Sequence, residues 1–188
     1  MKLTKKFLGI AAVIAVIGFL ALPLTGCPDE GDDSGSGTTT TTTGTETETQ
    51  KIVYYNGDSI EEFAAWLAEQ EEGVLCDVKL TLDDLHGKSN VEGSLGSVLI
   101  KNPKIKVKLD LSASTFTSIG ERAFKNCNSL TSVTFQGTIV RNKFQDYAFY
   151  ELGNLRDEFY RTDITNGTPG TYTTTAPVSS SSVWTKQD

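Results

Sequence analysis

Chemistry in this chain of 188 residues would have to come from few side chains. There is one histidine, His86, and there are three cysteines, Cys27, Cys76 and Cys127. A serine or cysteine nucleophile served by an imidazole base would have to use His86. That residue stands beside Gly87 in a polar turn, where a solvated histidine also belongs. The cysteines are spaced 49 and 51 residues apart, and neither Cys-x-x-Cys nor His-Glu-x-x-His occurs. The ligand spacing of a zinc site is therefore missing. Outside the cytoplasm Cys76 and Cys127 could pair as a disulfide, or each could remain a thiol. Glu61-Glu62, Glu71-Glu72 and Asp83-Asp84 are adjacent carboxylates. Sequence neighbours diverge on a helix and point to opposite faces of a strand, so these pairs read as solvated surface, not as an acid/base couple. No glycine-rich phosphate loop is present. These observations lead to a chain without enzymatic activity, cofactor or metal. An enzyme with a site of unfamiliar pattern stands as a separate alternative.

Cys27 has a distinctive position. Lys2, Lys5 and Lys6 precede an uncharged, strongly apolar run over residues 7–24, which Pro23 breaks near its end. A basic start followed by an apolar stretch is the pattern of a secretory leader. Leu24-Thr25-Gly26-Cys27 then resembles the lipobox of bacterial lipoproteins. The resemblance implies diacylglycerol on the Cys27 sulfur, cleavage after Gly26 and acylation, for example by palmitate, of the new amino terminus. Two or three acyl chains anchor stably where one is marginal. The competing reading is an uncleaved membrane helix. Its eighteen apolar positions are borderline for spanning a bilayer, and it leaves the cysteine unexplained.

The net charge is −7. Residues 1–26 hold three lysines and no acid, so their removal takes it to −10. An acidic surface without a basic patch argues against nucleic acid as partner and against docking on anionic headgroups. Residues 28–50 contain acids, Gly-Ser alternation, a threonine run at 38–43 and Thr-Glu repeats. With no apolar side chain after Pro28, this stretch reads as a disordered tether.

Beyond it the hydrophobic pattern becomes that of a folded domain. Ile52-Val53-Tyr54-Tyr55 reads as a strand and Asn56-Gly57 as a turn. Ser59-x-x-Glu62 fits a capping box, and Ile60, Phe63, Ala64 and Leu67 follow helical spacing. That helix is expected over 59–70, closed by Gly73. Period-two strands are expected at 78–82, 107–111 and 132–135, with a possible short helix at 95–100. One strand every 24 to 29 residues is the signature of a solenoid.

The segment from Thr117 to Phe135 includes Ile119-Gly120, Ala123-Phe124, Cys127, Leu130, Val133 and Phe135. It closely resembles the repeat of BspA-like leucine-rich-repeat surface proteins. The resemblance is specific over 109–135, although Gln136 stands where the family usually has proline. It implies that Ile119, Ala123, Phe124, Cys127 and Leu130 face a solenoid core and that Gly120 turns the chain. A looser unit follows, with Ala148, Phe149 and Leu155 each 25 residues after Ala123, Phe124 and Leu130.

The expected fold is α+β: a short leucine-rich-repeat-like solenoid with a small parallel sheet, an amino-terminal capping helix and the disordered tether. The expected divisions are a leader at 1–26, lipidated Cys27 with the tether to 50, the repeat domain at 51–160, and a Ser/Thr-rich tail at 161–188. Residues 154–170 read as a loop. The tail is either disordered or a hairpin pairing 172–174 with 183–185. Alternate strand residues on one sheet face include Lys79, Thr81, Lys108, Asp110, Ser132 and Thr134, and these are the candidate ligand-binding positions. Tyr54, Tyr55, Tyr150, Phe159, Tyr160 and Trp184 are candidate contact aromatics or partial core. The function expected is envelope display of a protein-binding or adhesive module, at the outer membrane or cell surface. Its partners would be the membrane, through the lipid, and a host or bacterial surface protein. A structural or periplasmic lipoprotein without an external ligand is the alternative.

Overall fold

The computed structural model describes residues 50–188. The leader, Cys27 and nearly all of the tether lie outside the described residues. Within them a six-stranded sheet has its strands in chain order. They are β1 (Ile52–Gly57), β2 (Leu75–Leu80), β3 (Lys106–Asp110), β4 (Leu130–Phe135), β5 (Gly170–Thr173) and β6 (Thr185–Lys186). The first four are parallel and the last two antiparallel. Among the described residues no helix is long and apolar enough to cross a membrane.

Parallel neighbours need crossovers, and each crossover here lays apolar side chains against one face of the sheet. Helix α1 (Ile60–Ala68) buries Ile60, Phe63 and Leu67, and the Ser59 hydroxyl caps it by accepting from the Glu62 amide at 3.2 Å. Helix α2 (Leu95–Lys101) is capped by Ser94, whose hydroxyl accepts from the Ser97 amide at 3.1 Å. From the sheet, Cys76, Val78, Leu80, Val107, Leu109, Val133 and Phe135 complete the core.

The register differs from the sequence spacing in one respect. Val78 stands opposite Leu109, two residues beyond Val107. Strand β2 begins at Leu75 because β1 supplies it with a partner from Ile52 onward, so β1 is a full parallel member of the sheet.

Beyond β3 the chain stacks turn upon turn. Residues 119–127 lie on 144–152 through backbone bonds from the Ile119 amide to the Lys143 carbonyl (2.9 Å), Gln145 to Ile119 (3.0 Å) and Phe124 to Ala148 (2.8 Å). Phe124 stacks on Phe149 at 4.7 Å between ring centroids. Ile119, Ala123, Phe124, Cys127 and Leu130 are all buried, as are Phe144, Ala148, Phe149, Leu152 and Leu155. A turn opens at Gly120, whose carbonyl accepts from the Ala123 amide at 3.3 Å, but Gly120 itself is not left-handed. The left-handed conformations fall on Arg122, Asn126 and Glu151 (φ 59°, 62° and 66°), and the last two occupy the same place in successive units.

Two further corrections concern the carboxyl-terminal part. Residues 154–170 are not loop throughout: α3 (Leu155–Phe159) buries Leu155 and Phe159 four residues apart. Nor are residues 161–188 a separate tail. Strand β5 pairs with β4, with Val133 opposite Tyr172, and carries β6 on its other edge. Trp184 is 1 % exposed and its indole N–H donates to the Leu152 carbonyl. A Ser/Thr-rich composition conceals these two aromatic anchors: Tyr172 packs against Phe135 and Phe159, and Trp184 is buried in the same core.

Candidate binding face of the sheet

Alternation along each strand sends one set of side chains to the core and the other outward. The parallel register then aligns the outward set into rows. One row runs Tyr54, Asp77, Lys108, Ser132, Thr173 and Thr185. The next runs Asn56, Lys79, Asp110, Thr134 and Thr171. Opposite charges therefore alternate both along and across β2 and β3. Among the described residues none of these four charges joins an ion pair. Asp110 accepts from the Ser112 amide through one carboxylate oxygen at 2.8 Å and stays half-buried. Lys79 and Lys108 are exposed.

Toward β5 the face changes from charge to hydroxyl. A 2.9 Å hydrogen bond joins the Thr134 and Thr171 hydroxyls, and the Gln187 amide donates to Thr173 at 2.7 Å. Of the expected positions, Lys79, Thr81, Lys108, Asp110 and Thr134 line this face with some exposure. Ser132 does not. It is 5 % exposed, because its short side chain lies in the row between Lys108 and Thr173 on the flanking strands. A strand that had ended the sheet would have left it open. Sequence reasoning missed Asp77, whose alternation with Lys79 was in view, and Thr171 and Thr173, which needed the pairing of β5.

The expected contact aromatics separate in the same way. Phe159, Tyr160 and Trp184 are buried, Tyr55 is half-buried against Phe63 and Trp66, and Tyr54 is 73 % exposed on the sheet face. Tyr150 is also exposed, but away from the sheet, in the turn stack.

His86 rims an open cleft of about 910 Å³ between α1 and α2, with Asp83, Glu92 and Lys101 among its neighbours there. Among the described residues no hydrogen bond reaches its ring, and its backbone amide is held by Asp84 at 3.2 Å. Among the described residues no group of three or more His, Cys, Asp or Glu is placed to hold a metal ion.

Cys76 and Cys127 are both buried free thiols, so no disulfide joins them. The Cys127 Sγ donates to the Gly96 carbonyl at 3.4 Å. Burial pushes the Cys76 thiol up to about 11 and raises that of Cys127 as well, which removes both as nucleophiles near neutral pH.

Residues 100–183 match a protein family described as BspA type leucine rich repeat region (6 copies). The match covers the unit recognised at 109–135, the looser unit after it, and β5. No curated protein and no solved structure matches the chain.

Proposed function

We propose that this chain is a non-enzymatic lipoprotein of the bacterial cell envelope that presents its sheet face to a protein partner in adhesion. Residues 1–26 act as the leader, Cys27 carries the lipid, and residues 28–50 serve as spacer. In this reading the folded part is a short solenoid, with α1 as the crossover that covers its first β1–β2 rung and the β5–β6 hairpin closing the far end. The observation that carries this reading is the two-by-two patch of Asp77, Lys108, Lys79 and Asp110, four charges of alternating sign that join no ion pair among the described residues. Repeat modules with one strand per turn use such a face for protein recognition, and the BspA type repeat match supports assigning the chain to that class. Mixed charge at a rim sets register and encounter rate more than raw affinity, as a selective adhesin requires.

The test is charge reversal on the face. Lys108→Glu and Asp110→Lys, made separately in the full-length lipoprotein, should each weaken binding to the recognised matrix or surface protein by about tenfold. Lys108 is exposed, so Lys108→Glu should hardly change the melting temperature, whereas Asp110→Lys also removes the acceptor for the Ser112 amide and should lower it slightly. Protease added to intact cells should remove the module. Unchanged binding by both variants would discard the face, and protease protection on intact cells would discard surface display.

A further inference from the structure

The turn stack carries a second concavity, remote from the charged sheet rows. It is an open pocket of about 540 Å³ lined by Asn126, Asn128, Tyr150, Glu151, Ser179 and Ser180. Its walls come from two successive repeat units and from the loop ahead of β6. The backbone holds them together: the Asn126 amide donates to the Tyr150 carbonyl at 3.3 Å, and the Asn154 amide to the Ser182 carbonyl at 3.4 Å. The Asn154 side chain in turn accepts from the Trp184 amide at 2.7 Å, so a buried tryptophan pins the serine loop to the rung. Gly153 makes that approach possible, since a Cβ there would stand 1.9 Å from the Ser182 oxygen.

The chemistry of the lining is specific. Among the described residues the side chains of Asn126, Asn128, Glu151 and Ser180 make no hydrogen bond to one another or to the rest of the chain. Ser179 is tied within its own loop, at 3.0 Å to the Ser181 hydroxyl. Each free amide offers two donors and an acceptor, and the carboxylate accepts twice. Tyr150 supplies an aromatic plane, kept in orientation by Lys125 at 5.1 Å from its centroid and by Tyr147 at 5.8 Å. Left-handed backbone at Asn126 and Glu151 fixes where those two side chains leave the chain.

We propose that this pocket binds a neutral saccharide. A pyranose presents hydroxyls that both donate and accept along its rim and a C–H-rich face that packs on an aromatic ring, and the lining matches both. An apolar ligand would leave four polar side chains without partners, at a cost in affinity. Glu151 in the lining and Lys125 over the Tyr150 ring put one charge of each sign at the site, so it offers no net charge to a phosphate or an acidic sugar. All six lining residues are exposed, so the concavity is a shallow one that would cradle one face of a di- or trisaccharide without enclosing it. This inference does not depend on the sheet-face reading.

The experiment is titration calorimetry on the full chain in a detergent without a sugar headgroup, against maltotriose, cellotriose, mannotriose and triacetylchitotriose. At least one should bind with a dissociation constant of about 1 mM or below. Tyr150→Ala and Asn128→Ala should each weaken it about tenfold, Tyr150→Phe less than about threefold, and Lys108→Glu not at all. Glu151→Gln, which keeps the shape, should weaken it and provides a second readout if Tyr150→Ala fails to fold. Continued protection of the two buried thiols checks the fold of each variant. Absence of binding to all four sugars, or binding by Asn128→Ala and Glu151→Gln equal to that of the parent, would overturn the proposal.

Discussion

Gly96 is the residue on which the contact between α2 and the first turn of the stack depends. A Cβ at that position would lie 2.0 Å from the Ala123 carbonyl oxygen and 2.7 Å from the Ser89 Cβ. Gly96→Ala must push the helix away, and overpacking of this kind costs about 1–3 kcal/mol. The expected result is a melting temperature lowered by several degrees with the two-state transition retained. The buried thiols give a second prediction at this scale. Cys76 and Cys127 should resist a disulfide reagent at pH 8 in the native chain and react fully in denaturant, as mapped by peptide mass spectrometry. Their pKa values, with that of the buried Tyr172 phenol at about 12, are raised by folding. A raised value means that the native state favours the neutral form. The associated stability is therefore complete below pH about 9, the ordinary thiol range, and is lost as the pH climbs toward 12. Denaturant midpoints between pH 7 and 12 should show this decline; a flat profile would contradict it. The burial of Cys127 was legible in the sequence because its place in the repeat is a core place. The role of Gly96 was not, since a close approach between segments about 30 residues apart leaves no periodic trace.

At the scale of elements, the carboxyl-terminal half is held by aromatic stacking across repeats. Phe124 on Phe149 joins the two turns, while Phe144, Phe159, Tyr172 and Trp184 join the stack to the hairpin. Phe124→Ala removes a fully buried ring and should cost about 3–5 kcal/mol. Trp184→Ala should cost a similar amount, and it should also loosen β5, since the indole bond to Leu152 ties the hairpin to the second unit. Hydrogen exchange would separate the effects: Trp184→Ala should speed exchange at the amides of β5 and α3 before those of β2. The parallel strands were legible because alternation and spacing are local patterns. The β5–β6 addition was only half visible. Its hydroxyl-rich composition reads as linker, and the pairing with β4 rests on long-range partners that composition does not encode. The same omission explains Ser132, which would be open on a sheet ending at β4 and is covered once β5 is added.

At the scale of the molecule, the described residues form one mixed sheet with its core on one side and an alternating charged and hydroxyl face on the other. The chain is acidic, and on that face the exposed Lys79 and Lys108 alternate with Asp77 and Asp110, so the described residues there form no basic patch for an anionic membrane. Residence at a membrane would thus depend on covalent lipid. The proposed function, a tethered adhesive module, therefore turns on the fate of the Cys27 sulfur. The measurement that tests it most directly is metabolic labelling with a palmitate analogue, followed by intact mass, of the native chain and of Cys27→Ser expressed in a bacterium that processes lipoproteins. The account predicts label on the native chain, with residues 1–26 removed, and none on Cys27→Ser. A native chain that stays unlabelled, or that keeps its leader, would contradict it.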